Sequence, residues 1–147
     1  MDTVIDLCLT PIWQHTKPEI TYGIDDITIN KILIQNRTTL RLCFPLLAGK
    51  HKIWMTFNNK NYNESRLEQG FDMAVEISSV SFEEMELDRF KWAANYYPDY
   101  PADYPNKQKV IKSATYLGWN GRWELPFNAP VFTWIHQLEN LGWLYRP

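Results

Sequence analysis

The sequence predicts a mainly β fold: an antiparallel β-sandwich carrying a C-terminal β-hairpin and one short α-helix. Three observations predict it. Between residues 27 and 82, short runs alternate apolar and polar positions at regular spacing, and no helical period interrupts them. Gly, Pro and Asn residues punctuate those runs where turns are needed. A 3.6-residue apolar stripe appears clearly only near the C-terminus. A chain of 147 residues is long enough to bury a core as a single domain.

Residues 1–20 place Leu7, Leu9, Ile12 and Trp13 around Pro11, with Lys17-Pro18 following. The two prolines deny this stretch a helix, so it reads as an N-terminal arm with one short strand along a sheet edge. The sandwich core is expected over residues 21–82. Tyr22-Gly23 is a turn candidate, and the phase change at Asn30-Lys31, between Ile27/Ile29 and Ile32/Ile34, predicts a tight turn or a bulge. Leu40, Leu42 and Phe44 alternate with Arg41 and Cys43, and Pro45 ends that ladder. Ala48-Gly49-Lys50 turns into a strand facing inward through Ile53, Met55 and Phe57. After a polar loop at 58–70, Phe71, Met73, Val75 and Ile77 resume the alternation, which reads as a hairpin around that loop.

Residues 83–147 read as an aromatic, proline-rich extension packed on the same domain. Phe82, Met85 or Leu87, and Phe90 recur at intervals of three to four, fitting a short helix or an irregular crossing. Three Tyr-Pro steps follow, at 97–98, 100–101 and 104–105, in a stretch that cannot pair regularly. Asn120-Gly121 between Trp119 and Arg122 predicts a two-residue hairpin over 116–125, with Trp123 opposite Gly118. Val131, Trp134 or Ile135, Leu138 and Leu141 predict a helix over 130–141, with Gly142 as its cap and His136 beside the stripe as a hydrogen-bonded structural group.

A net charge of −2 and a pI near 5.9 exclude a general electrostatic footprint for nucleic acid. The first residues lack the basic start and apolar run of a secretion signal, and no apolar span is long enough to cross a membrane, so a soluble chain made in a cytosol is expected. Cys8 and Cys43 lack metal spacing and are expected as reduced thiols. No phosphate loop, nucleophile elbow or zinc helix is present, and the acid pairs Asp25-Asp26 and Glu83-Glu84 are too close to flank a cleft. The expectation is a protein that is not an enzyme.

Aromatic residues make up 15% of the chain, with seven Trp and eight Tyr, rings suited to surfaces that are dry on one side and wet on the other. Tyr62, Tyr96, Tyr97, Tyr100, Tyr104 and Trp119 are the candidates for contacting a glycan or a protein partner. The loop at 58–70 is dense in hard oxygen donors, and Glu64, Glu68 and Asp72 are its candidate calcium ligands. Lys60 and Arg66 in the same loop offer the competing arrangement, in which the acids are neutralised internally.

Two stretches carry resemblances. The run Gly49-Lys50-His51-Lys52-Ile53-Trp54-Met55-Thr56-Phe57-Asn58-Asn59, followed by Gly70-Phe71-Asp72-Met73-Ala74-Val75-Glu76-Ile77, resembles the calcium-dependent xylan-binding carbohydrate modules. In those jelly-roll sandwiches a Gly-x-His-x-apolar strand precedes one entered through an Asp. The resemblance implies a jelly-roll-like sandwich, and a metal-ligand role for Asp72. The Tyr-Pro stretch, Trp119-Asn120-Gly121-Arg122-Trp123 and Pro130-Val131-Phe132-Thr133-Trp134-Ile135 are similar in style to small tailed-phage proteins. That second resemblance implies a virion component such as a decoration, neck, tail or fibre protein, in a homo- or hetero-oligomer with other structural proteins. The functional expectation is a non-catalytic assembly module, with a calcium-assisted carbohydrate-binding module as the alternative.

Overall fold

The computed structural model of the chain describes residues 2–60, 72–86, 88–102, 104–105 and 107–140, the side chains of 88 and 138–140 excepted. There the sequence alternation becomes two antiparallel sheets. The first is built on β1 (Asp2–Ile12), which lies between β4 (Thr38–Pro45) and β6 (Ala74–Phe82). The two-residue strands β7 (Met85–Glu86) and β10 (Tyr116–Leu117) both pair with β6. The second sheet runs in the order β3 (Ile27–Leu33), β2 (Glu19–Ile24), β5 (Gly49–Phe57), β11 (Gly121–Ala129), β8 (Asn95–Pro98) and β9 (Ile111–Lys112). Helices α1 (Asp88–Trp92) and α2 (Val131–Asn140) pack on β6 and β11 respectively.

The core lies between the sheets. Leu7, Leu42 and Phe82 from the first and Ile20, Met55 and Trp123 from the second belong to one buried cluster. Burying each such side chain is worth about 1.5–3 kcal/mol. Two bulges keep the inward faces in phase. Along β6 the buried positions shift from Val75 and Ile77 to Val80 and Phe82, and the register with β1 skips Ser78. Between β2 and β3 the register skips Ile29, one residue before the break expected at Asn30-Lys31.

Four sequence expectations are corrected. Residues 2–12 are the centre of the first sheet rather than an arm at an edge, because Ile5, Leu7 and Leu9 alternate into the core. Pro11 is tolerated because β1 pairs with β4 only as far as Leu9, so its missing N–H interrupts no bond to β4. Second, β5 and β6 are not a hairpin, because they lie in different sheets. Third, there is no hairpin over 116–125, since β10 joins the first sheet and β11 the second. Asn120 keeps a negative φ, and Gly121 is extended at φ +155°, where a Cβ would fall 2.4 Å from the Tyr97 carbonyl oxygen. Asn120-Gly121 is a crossover between sheets. A true two-residue turn sits instead at Glu83-Glu84, at φ 52° and 66° with Phe82 opposite Met85, held by Glu83 N–H to the Val4 carbonyl and Val4 N–H to Glu83 Oε1. Fourth, the core is not confined to residues 21–82, because β11 forms the full-length partner of β5.

The expected C-terminal helix is present as α2, with Val131, Trp134 and Ile135 buried. His136 is exposed rather than structural, and Leu141 and Gly142 lie outside the described residues.

Candidate functional site

A polar and aromatic cluster forms where β5 ends and β11 begins. Beyond Phe57 the chain is pinned twice. Asn59 accepts from Glu19 N–H at 2.8 Å and donates to the Lys17 carbonyl at 3.0 Å, and Lys60 N–H donates to Asn120 Oδ1 at 2.8 Å. These bonds fix Lys60, whose ammonium donates to Asp72 Oδ1 at 2.8 Å and to the Gly118 carbonyl at 2.5 Å. The Lys60 side chain is 4% exposed and that of Asp72 11%, so this ion pair is held largely out of water.

Asp72 Oδ1 also accepts from Met73 N–H, and Oδ2 accepts from the Tyr116 hydroxyl. Burial first, then the bond to Asp72, pushes the Tyr116 hydroxyl far above its ordinary value, so it stays a neutral donor. An aromatic cluster reaches the pair through Trp119. The Tyr100 and Tyr104 rings stack at 4.9 Å, both meet Trp119 edge to face, at 4.9 and 4.5 Å, and the Lys60 ammonium lies 5.9 Å from the Trp119 ring. The Tyr-Pro stretch therefore folds back on its own domain.

The structure separates the other candidates. Tyr96 is fully buried between the sheets with its hydroxyl bonded to the Trp119 carbonyl, which removes it as a ligand contact. Tyr97 is 40% exposed on the outer face of the second sheet, opposite Arg122. Tyr62, Glu64 and Glu68 lie outside the described residues. As a calcium ligand, Asp72 is a poor fit: the Lys60 ammonium and two other donors engage its carboxylate, and among the described residues no three His, Cys, Asp or Glu side chains converge. Tyr116 was missed by sequence reading because nothing local distinguishes it. Its role depends on Asp72, 44 residues away.

A second polar cluster surrounds His51. Its Nδ1 meets Asp25 Oδ2 at 2.6 Å and its Nε2 meets the Leu47 carbonyl oxygen at 2.6 Å, two acceptors that call for a doubly protonated ring. Burial lowers the imidazole pKa, but the bonds to Asp25 and Leu47 outweigh it and the net shift is upward. Asp25 further accepts from Lys52 N–H, and its carbonyl accepts from the Trp54 indole. This cluster locks the β2–β3 turn to β5. It is architecture rather than a catalytic dyad.

No family model and no curated protein matches the chain. Two solved structures do. One, 10% identical, is the selenomethionine form of vCBM60, described in connection with a circular permutation linking two families of calcium-dependent carbohydrate-binding modules. It aligns over 84% of this chain and 89% of its own with a TM-score of 0.56. The other, vCBM60 in complex with galactobiose, is 9% identical over 83% and 96% of the two chains, with a TM-score of 0.53. This chain shares the β-sandwich fold of those modules. At such identities the likeness speaks for the fold alone, and it gives the phage resemblance no support.

Proposed function

We propose that this chain is a non-catalytic module that binds a neutral glycan at the end of the sandwich bearing Trp119. One observation carries the reading: the Tyr100 and Tyr104 rings pack on Trp119, whose ring lies 5.9 Å from the ammonium of Lys60, and the charge of Lys60 is set against that of Asp72. A sugar ring offers C–H faces to aromatic rings and hydroxyls to fixed polar atoms, and it brings no charge that the site would have to balance. The solved structures of the same fold support this class of ligand, one of them holding galactobiose. The Lys60 ammonium supplies the positive charge beside Asp72, so the proposed binding needs no metal.

Electrophoresis through gels containing neutral soluble polysaccharides tests this. The chain should be retarded by at least one of them with chelator present, and Trp119→Ala should weaken that binding about tenfold. Absence of retardation across the panel, or retardation that chelator abolishes, counts against the proposal.

A second reading, an assembly module in a tailed-phage virion, draws on a different surface. Exposed Leu47 and Phe132 stand near a cavity of about 310 Å³ lined in part by Leu46 and Val131. Light scattering on the purified chain distinguishes it, because self-assembly lost in Phe132→Ser would favour this reading.

A further inference from the structure

We propose a second small-molecule site, for a carboxylated sugar, at the end of the sandwich opposite Trp119. β5 and β11 pair over their whole length, from Phe57 with Gly121 to Gly49 with Ala129, so the two ends lie roughly 25 Å apart at strand spacing. At the far end two cavities of about 380 and 220 Å³ share Lys50, Asn128 and Trp134 as walls. The larger falls within the roughly 300–1,000 Å³ usual for small-ligand sites.

The indole wall is preorganised. Phe82, Phe90 and Phe127 hold the Trp134 ring at centroid distances of 5.3, 5.7 and 6.2 Å, so it forms a fixed apolar surface. Lys50 and Asn128 are directly paired across β5 and β11, which puts both side chains on one face. Thr133 and Gln137 stand one helical turn apart on α2 and line the smaller cavity. None of these four polar side chains is engaged by another described residue. Among the described residues no acidic side chain lines either cavity, and both His51 nitrogens are already engaged.

One ammonium without a described acidic partner, two amides and a hydroxyl against an indole wall match a ligand with one carboxylate and several hydroxyls. The inference stands apart from the neutral-glycan reading, since it uses none of that site's residues.

Sodium glucuronate, glucose and sodium acetate, each titrated into the full chain by calorimetry and amide-detected NMR, test it. Glucuronate should shift the amides of Lys50, Asn128, Thr133 and Gln137 and bind at least about tenfold tighter than glucose or acetate. Lys50→Gln should weaken glucuronate about tenfold without changing polysaccharide retardation, and Trp119→Ala should leave glucuronate binding unchanged. The proposal is overturned by equal binding of glucuronate and glucose, by indifference to Lys50→Gln, by shifts confined to residues 116–120, or by no shift at saturating probe.

Discussion

Replacing Lys60 by Met should be among the costliest single substitutions outside the apolar core. The side chain is nearly fully buried, and its ammonium bonds to Asp72 at 2.8 Å and to the Gly118 carbonyl at 2.5 Å. Methionine fills similar volume, so little of the loss comes from a cavity. What remains is a carboxylate at 11% exposure, still bonded to Met73 N–H and Tyr116 but without the Lys60 ammonium. Removing one partner of such a pair costs about 3–5 kcal/mol. In a chain of this size that corresponds to a fall in melting temperature of roughly 6–20 °C. Chemical denaturation of Lys60→Met, Asp72→Asn and the double variant provides the cycle. The double variant should be clearly more stable than the sum of the single losses, because it removes the carboxylate charge together with the ammonium that faces it. Single losses below about 1 kcal/mol, or strict additivity, would refute the assignment of Lys60–Asp72 as a coupled buried pair.

Two other outcomes follow from the packing. His51 has a raised folded-state pKa, so its contribution to stability should be complete below its ordinary value of 6.5 and disappear as pH rises through the raised one. Melting temperatures measured from pH 5 to 9 should show this decline, and Asp25→Asn should flatten it. Gly23→Ala should prevent normal folding or cost about 3 kcal/mol or more, since its Cβ would lie 2.1 Å from the Ile27 carbonyl oxygen and 2.6 Å from the Trp54 ring. A denaturation midpoint close to wild type would show that β2 and Trp54 can separate there.

Much of the β content was legible because a strand's period of two survives in any register. The readings that failed did so at partner choice. Asn120-Gly121 has the composition of a hairpin turn, yet Lys60 N–H captures the Asn120 side chain and Asp99 N–H its carbonyl, and the chain passes between sheets instead. Glu83-Glu84 has no turn composition, yet two bonds between Glu83 and Val4 anchor a turn in which both residues take positive φ. Among the aromatic candidates, Tyr96, Tyr97 and Tyr100 look alike in sequence. Only the pairing of β8 with β11 sends Tyr96 inward and Tyr97 outward.

The sequence by itself determined a two-layer antiparallel frame, most of its inward-facing residues and the C-terminal helix, because those depend on periodicity and local backbone chemistry. Tertiary structure decided which strands are neighbours, that residues 2–12 form a sheet centre, and that Lys60, Asp72 and Tyr116 meet. Such meetings join residues up to 56 positions apart in the chain. Their energies come from burial and countercharge, which no local pattern of residues encodes.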